Sequence, residues 1–439
     1  MSRAVEARLK ECLSGTPLIR RLSPATSSFL EERGEDAAVV ALTGAKLAGL
    51  ARLLATNAEA ARYLSHRPAL LERISHASAD ALRTRARELE STQPPSDRDL
   101  EGFLDWLRLT RRDETIFAAC LDLGGSVSFE ETSVFLSILA ESCTRWALQR
   151  AETHVGTEPA PTISVLAMGK IAGRELTYYS DLDLIFLYPD DVEEVMQPSR
   201  IAQRLIHYLT AMTGAGVAYA VDSRLRPSGR QGMLVSTYGA FDRYQREHAA
   251  TWEHLALMRS RAIAGDIPRA QKILAHAREG ALEQQTRPWP EIAEMRQRVE
   301  RERGAKSNAS VALKTGRGGL MDVEFLAAGG VLELGVQPTP PALPSISWML
   351  SECMSGPALE QLCQGYQLLR RIEARTRWVS GRADETLKLD PDHVAAVAEL
   401  VEPGLAGQEL IDRLSEVRQS IRSSYEAVIA AGAIEELCR

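Results

Sequence analysis

The stretch ISVLAMGKIAGRELTYYSDLDLIFLY, residues 163–188, decides the fold of this 439-residue chain. It holds two short apolar runs, and Gly169-Lys170 breaks the pattern between them. Asp181 and Asp183 stand at the start of the second run. Because alternate residues of a strand project to the same face, both carboxylates point one way while the leucines beside them point into a core. The pattern predicts a buried strand with two acids at its mouth.

Carboxylates in this arrangement suit a divalent cation. Two like charges side by side repel each other unless a cation lies between them, and hard oxygen ligands suit a magnesium ion that also holds nucleotide phosphates. A third acid, Asp222, follows the apolar segment VAYAV at 217–221. If a neighbouring strand carries Asp222 beside Asp181 and Asp183, the three acids form a two-metal site, and Asp222 is a candidate for deprotonating an attacking hydroxyl. The alternative is that all three are ordinary solvated acids at strand ends.

Basic residues near these acids are candidates to hold phosphate groups. Gly169 lets backbone amides approach phosphate oxygens, and Lys170 adds a positive charge. Arg224 and Arg226 follow Asp222 by two and four residues, so they either clamp phosphates or pair with surface acids. Taken alone, the Gly-Lys pair is also compatible with an ordinary turn. The assignment therefore depends on these residues occurring together with the acids.

The composition is typical of a globular protein of two or three domains, with 45% hydrophobic residues, 25% charged residues and a formal charge of −7. The negative charge argues against a nucleic-acid partner. The N-terminus MSRAVEARLK has no signal-peptide segment, and no apolar run is long enough to cross a membrane. Scattered cysteines without CxxC pairs predict reduced thiols in the cytoplasm and no zinc site. They are Cys12, Cys120, Cys143, Cys353, Cys363 and Cys438.

The hydrophobic periodicity predicts an α+β, predominantly helical fold in three parts. These are an N-terminal helical region at 1–155, a mixed α/β domain at 156–284 and a C-terminal helical bundle at 285–439. The turn-rich GTEPAPT at 156–162 marks the first boundary. The Pro-rich VQPTPPALPS at 336–345 is predicted as a connector, because proline cannot sustain a helix interior.

Individual elements follow from the same patterns. Ser128 followed by Glu131 predicts a capping box that opens a helix in the N-terminal region. The middle region is predicted to alternate strands and helices. The predicted strands are 163–168, 183–188 and 217–221, and the predicted helices are 197–212, 237–248 and 266–280.

Taken together, the motifs resemble known families. The Gly169-Lys170 turn, the DLD acids after a spacer of ten residues and the later Asp222 resemble the nucleotidyltransferase superfamily that includes DNA polymerase β. Four ordered blocks are similar to the glutamine-synthetase adenylyltransferase family: MGKIAGRELTYYSDLDLIFLY, VDSRLRPSGRQGMLV, TWEHLALMRSRAIAGD and LKTGRGGLMDVEF, spanning residues 168–325. The resemblance implies a small polymerase-β-like domain in the middle region. The flanking helical regions carry no diagnostic motif.

The resemblance implies an enzyme that moves AMP from ATP to a tyrosine hydroxyl of glutamine synthetase and releases pyrophosphate, with two Mg²⁺ ions. Family members usually hold two related halves, one removing AMP by phosphorolysis and one adding it. This chain matches one half, so it is expected to be a single-domain relative or an excised fragment. LRPSG, GMLV and WEH favour the adenylylating half, whereas GRGG is closer to the usual run of the removing half. We therefore favour adenylylation.

The resemblance also implies roles for individual residues. Asp322 and Glu324 lie two apart in a predicted helix and so do not share a face; one of them closes over the active site, or both pair with arginines. His254 is expected to be a packed, hydrogen-bonded residue rather than a general base. The implied metal ligands are Asp181, Asp183 and Asp222, and the implied nucleotide contacts are Gly169, Lys170, Ser180, Arg224 and Arg226.

Three other functions stay open at this point. The first is the reverse enzyme, which strips AMP with phosphate. The second is a catalytically silent subunit that binds glutamine synthetase or a nitrogen-signalling protein, although three converging acids argue against it. The third is a relative that acts on another hydroxyl acceptor, because acceptor choice depends on surface loops. Glutamine synthetase and a nitrogen-signalling protein are the expected partners, and neither nucleic acid nor membrane is expected.

Overall fold

The computed structural model describes residues 2–156, 163–192, 195–284, 287–304, 309–339 and 342–438. These residues form mostly helices, with one five-stranded and one two-stranded sheet, which confirms the α+β, predominantly helical prediction. None of the helices in these ranges is long and apolar enough to cross a bilayer. Most of the predicted boundary turn at 156–162 lies outside the described ranges, and so do residues 285–286 at the second predicted boundary. The division into three parts therefore stays a prediction.

Helices fill the N-terminal region, as predicted. The capping box is confirmed: the Glu131 amide donates to Ser128 Oγ at 3.1 Å, and the Ser128 amide donates to Glu131 Oε2 at 3.0 Å. These two bonds satisfy amides that a helix N-terminus leaves without partners. The helices are α1 Ser2–Cys12, α2 Pro24–Arg33, α3 Ala37–Ala41, α4 Gly44–Thr56, α5 Ala58–Ser65, α6 Pro68–Ser75, α7 Ala81–Ser91, α8 Leu100–Leu123 and α9 Phe129–Val155.

A mixed sheet lies at the centre of the molecule. Its strands are β1 Ser164–Met168, β2 Leu182–Tyr188, β3 Val221–Asp222, β4 Val235–Thr237 and β5 Ser260–Ala264. The order is β3-β2-β1-β5, and β4 pairs with the far end of β2. β1 runs antiparallel to both β2 and β5, whereas β3 and β4 run parallel to β2. The near-continuous apolar runs of β1 and β2 are typical of strands buried on both faces.

Five helices accompany the sheet: α10 Gly169–Ala172, α11 Met196–Thr210, α12 Tyr238–Glu247, α13 Thr251–Met258 and α14 Ile267–Gln284. The predictions at 197–212, 237–248 and 266–280 correspond to α11, α12 and α14. Helix α11 joins β2 to β3, because two parallel strands need a crossover connection. This crossover carries the chain from the first two acids to the third.

The strand predicted at 217–221 is wrong over most of its length, since only Val221 and Asp222 pair as β3. The amides of Ala218 and Tyr219 donate instead to the carbonyl of Leu209, at 3.1 and 3.0 Å. These bonds hold the segment against the end of α11. β4 and β5 were not predicted.

The C-terminal region is helical with one small sheet. Its elements are α15 Trp289–Arg303, β6 Ser310–Ala312, α16 Leu320–Glu333, α17 Ile346–Cys353, α18 Pro357–Ser380, β7 Thr386–Lys388, α19 Pro391–Val401 and α20 Gly407–Ala431. β6 and β7 pair antiparallel, which was not predicted. The described residues of the Pro-rich connector, 336–339 and 342–345, are non-helical as predicted.

The two faces of the sheet belong to two different hydrophobic cores. On β2, Leu182 and Leu184 pack in a core shared with the N-terminal helices, while Ile185 and Leu187 pack in a core shared with the C-terminal region. Helix α18 contributes to both cores. Because strand side chains alternate, Asp183 lies on the same face as Ile185 and Leu187. The acids therefore lie on the face of the sheet that is turned towards the C-terminal region.

Candidate active site

Two neighbouring strands bring the three acids together. Asp181 directly precedes β2, Asp183 is its second residue, and Asp183 stands in register with Asp222 at the end of β3. Leu182 and Leu184 are fully buried, so the alternation that the sequence predicts holds here. One carboxylate oxygen from each acid lies within 4.8 Å of the other two. The arrangement concentrates three negative charges at one edge of the sheet.

The three acids differ in their electrostatic surroundings. Burial, with the nearby Asp181 and Asp222, raises the pKa of Asp183 to about 7, although Lys314 and Lys170 oppose the shift. Asp222 is different, because hydrogen bonds from Arg224 lower the pKa of its carboxyl. A repelling cluster of this kind is stabilised by a cation.

We expect replacement of Asp183 by Asn to stabilise the metal-free protein at alkaline pH. The folded-state pKa of about 7 lies above the ordinary value of 3.8, so stability falls as the pH rises through this interval and Asp183 ionises. Removing the charge should recover about 1–3 kcal/mol at about pH 8 and nothing near pH 4. Thermal unfolding in a chelator measures the difference.

The exposed Asp97→Asn variant is the matched control, because it removes one acid that is not among the charges acting on Asp183. If Asp183→Asn and the parent have the same melting temperature at both pH values, the expected repulsion among the three acids is contradicted.

The glycine turn lies directly beside the acids. Gly169 has a φ of +61°, a conformation that side chains rarely adopt, and a Cβ there would lie 3.4 Å from Asp183 Oδ2. Lys170 is already paired, because its Nζ donates to Glu373 Oε1 on α18 at 2.7 Å. Burial lowers the pKa of Lys170 to about 8 despite the opposing charge of Glu373. In this structure Lys170 links the turn to α18, and its predicted phosphate contact stays a prediction.

Ser180 braces the turn that leads into Asp181. Its buried hydroxyl accepts hydrogen bonds from the Thr177 amide and from Arg377 Nη1, both at 3.2 Å. The hydroxyl therefore fixes the backbone next to the acids. Its role towards a nucleotide stays a prediction.

The two arginines after β3 have partners of their own. The Arg224 amide donates to Asp222 Oδ1 at 2.9 Å, and Arg224 Nε donates to Asp222 Oδ2 at 2.7 Å. Arg226 donates to the carbonyls of Ser223 at 2.8 Å and Gly232 at 3.2 Å. Arg224 thus neutralises one of the three acids, and Arg226 holds its own loop.

Asp322 and Glu324 face opposite sides of α16, as predicted for residues two apart in a helix. Asp322 is fully buried, pairs with Arg296, and accepts the Gly318 amide at 2.7 Å. Glu324 lies on the side of the acids and accepts from Arg259 Nη1 at 3.1 Å. Both acids therefore pair with arginines.

His254 is also buried, and its Nε2 lies 2.9 Å from the carbonyl of Gln245, consistent with a packed histidine.

An ionic network behind the acids was not predicted. One buried carboxylate, Glu373, faces three cations on the same side of the site: Lys170, Arg370 and Arg377. Burial alone would raise the pKa of Glu373, but these cations hold it below its ordinary value. The Lys170 partnership joins residues 203 positions apart, so no local motif could have revealed it.

Lys314 was not predicted as a residue of the site either. It lies between β6 and α16, in the LKTGRGG block, and carries a charge felt by Asp183. Lysine beside a glycine turn is the pattern at Gly169-Lys170, and a lysine close to the glycines of LKTGRGG could have been singled out as well.

Comparison with known proteins gives two family matches along the chain. The family model described as glutamate-ammonia ligase adenylyltransferase matches residues 47–276. A second model, described as GlnD PII-uridylyltransferase, matches residues 290–429. The first match covers more than half of the 439 residues and includes all three acids.

Curated relatives are similar to this chain over part of their length. A protein of Chromobacterium violaceum is 36% identical over 287 residues, covering 63% of this chain and 32% of that protein. A protein of Hahella chejuensis is 32% identical over 366 residues, covering 74% of this chain and 38% of that protein. Each is named bifunctional glutamine synthetase adenylyltransferase/adenylyl-removing enzyme. The chain spans about a third of the length of these relatives.

Proposed function

Because the chain belongs to the glutamate-ammonia ligase adenylyltransferase family, we propose that it transfers AMP from ATP to a tyrosine hydroxyl of glutamine synthetase and releases pyrophosphate. The convergence of Asp181, Asp183 and Asp222 carries this proposal. A protein that only binds a partner has no use for three acids that raise the free energy of the fold. The names of the relatives include both addition and removal of AMP.

The acids fit a divalent cation. Mg²⁺ takes hard oxygen ligands at about 2.1 Å, so two opposite ligands lie about 4.2 Å apart. The carboxylate oxygens, within 4.8 Å of one another, are close to this spacing. We assign Asp181, Asp183 and Asp222 as ligands of two Mg²⁺ ions. When bound, the ions neutralise charge on the phosphates and orient the α-phosphate towards its acceptor.

The transfer itself exchanges one bond at phosphorus for another. The tyrosine oxygen forms a bond to the α-phosphorus of ATP, and the bond from that phosphorus to the oxygen bridging to the β-phosphorus breaks. The hydroxyl proton passes to Asp222, which is the general base in this scheme. Arg224 shares that carboxylate in the structure, so it has to move aside before Asp222 accepts the proton.

The reverse direction is the second candidate. The glycine run in LKTGRGG, which is closer to the removing half of the family, favours it. In that reaction inorganic phosphate attacks the AMP phosphorus on modified glutamine synthetase. The bond from that phosphorus to the tyrosine oxygen breaks as the bond to phosphate forms, which gives ADP. The proton of the attacking hydrogenphosphate passes to the tyrosine oxygen and restores the hydroxyl.

We also propose the setting in which the enzyme acts. Glutamine synthetase is its protein substrate, and residues 290–429, which match the uridylyltransferase model, are the region we assign to contact with a nitrogen-signalling protein. The six cysteines, all within the described residues, are free thiols and fit the reducing cytoplasm.

Incubation with ATP labelled at the α-phosphate, Mg²⁺ and glutamine synthetase from the same organism tests the proposal. We expect label on a tyrosine of glutamine synthetase and release of pyrophosphate. A parallel reaction supplies adenylylated glutamine synthetase and inorganic phosphate, and ADP there without label in the first would select removal. No product in either reaction, with no ATP binding, would leave only a scaffold.

A further inference from the structure

The loop from Leu313 to Gly319, between β6 and α16, is fixed from two sides. Arg296 Nη2 donates to the carbonyl of Gly316 at 2.8 Å, and Arg418 Nε donates to the carbonyl of Arg317 at 3.1 Å. These donors come from α15 and α20, so two helices hold one short segment. The backbone of the loop is therefore held in one position.

Gly318 shows how closely this loop is packed. It has a φ of +69°, and a Cβ there would come within 1.9 Å of the Arg418 carbonyl oxygen, so only glycine fits. The Gly318 amide donates to Asp322, whose side chain is fully buried against Arg296. At its other end the loop is tied to the chain before β7, because the Leu313 amide donates to the Glu385 carbonyl at 3.0 Å.

Lys314 is the exception in this well-bonded loop. Its ammonium group has neither a hydrogen-bond acceptor nor an ion-pair partner among the residues that the structure describes. The side chain is partly buried, and the charges that act on it include Glu324, Glu373 and Asp183. Burial by itself would lower the pKa of Lys314, but these carboxylates hold it above its ordinary value, so the side chain stays charged while it makes no bond to the described residues. A rigid loop that holds such a charge beside an acidic metal site is suited to bind an anion there.

The other cations around the acids already have partners. Lys170 is paired with Glu373, Arg224 with Asp222, and Arg226 with carbonyls of its own loop. Among these four described candidates, Lys314 alone needs no bond broken before it contacts a ligand. Lysine is a compact point charge that commonly binds phosphate.

We propose that Lys314 binds the β- and γ-phosphates of ATP and neutralises the pyrophosphate as it leaves. The inference rests on the proposed function, in which the acids hold Mg²⁺ ions at the α-phosphate and the rest of the triphosphate extends away from the acids. It assigns the triphosphate contact to the C-terminal region, a part of the chain outside the sheet that carries the acids. The negative charge on the leaving pyrophosphate increases in the transition state, so Lys314 contributes to kcat as well as to binding.

Calorimetric titration of the full chain with Mg²⁺ and a non-hydrolysable ATP analogue tests this contact. We expect Lys314→Met to bind the analogue about 10- to 100-fold more weakly, the effect of losing a charge-assisted hydrogen bond. AMP, which lacks the β- and γ-phosphates, should bind both proteins equally. The exposed Lys272→Met on α14 is the matched control and should bind like the parent.

A second variant and the transfer assay separate the possible failures. Lys314→Arg keeps the charge and should recover part of the affinity and of kcat, whereas equal affinities of Lys314→Met and Lys314→Arg would show that only the packing of the side chain matters. Equal analogue affinity for Lys314→Met and the parent would overturn the Lys314 assignment and leave the proposed function standing. A parent chain that binds no ATP analogue with Mg²⁺ would overturn both.

Discussion

Replacing Asp181 or Asp183 by Asn is expected to lower the rate of AMP transfer by about 1000-fold or more, the scale on which single charge-stabilising groups act in active sites. The amide keeps the size of the side chain but removes the negative charge that a divalent cation needs. It also places an NH₂ group, which repels the cation, where one carboxylate oxygen lies. The loss should appear in kcat, because the missing ligand acts on the charge that develops during transfer.

The same variants should stay folded. Asp181 is exposed, and burial beside two other acids outweighs the favourable charges of Lys314 and Lys170 at Asp183, so neither substitution should unfold the chain. Circular dichroism and thermal unfolding verify the fold, label transfer to glutamine synthetase measures the rate, and Asp97→Asn serves as the control. Transfer at the parent rate by either variant would count against the three-acid assignment.

Replacing Asp322 by Ala is expected to destabilise the fold by about 3–5 kcal/mol, the usual cost of removing one partner of a buried ion pair. Asp322 and Arg296 are both almost completely inaccessible to water, and Arg296 would keep its charge without this partner. The Gly318 amide would lose its acceptor as well. The loop that carries Lys314 would then lose one of its anchors, and Arg296, which donates to the Gly316 carbonyl of that loop, would lose its own partner.

Chemical denaturation of the variant measures the loss. An Arg296→Met/Asp322→Leu double variant should recover much of the stability, because a well-packed apolar pair can replace a buried ion pair. Ala at the exposed Asp97 should change the unfolding free energy little. A small loss in Asp322→Ala would show that water or another group compensates Arg296.

The parts of the fold that follow from local pattern were predictable. β1 and β2 are apolar runs, and the capping box at Ser128 is a local signal. β4 has only three residues, and a single residue separates β5 from α13, so neither shows a separate pattern. The β6–β7 pair joins Ser310 to Lys388, and no local pattern reveals a partner that far along the chain.

In the candidate site, too, only the features that follow from local pattern were predictable. The acids could be placed together because strand alternation and one crossover determine their positions. The partners of the cations could not, since Lys170 meets Glu373 only after α18 has packed onto the sheet. The assignment of Asp222 as a metal ligand stays a prediction. The sequence left open whether Arg224 contacts a phosphate or pairs with an acid, and in the structure it pairs with Asp222.

The division of the sheet between two cores has a consequence for synthesis of the chain. A ribosome that has completed β2 has not yet made the segments that cover Ile185 and Leu187. Until α12 and the later segments of this core emerge, this side of the strand faces water as an apolar surface open to neighbouring nascent chains. Chaperone binding during that interval would protect the unfinished protein from aggregation.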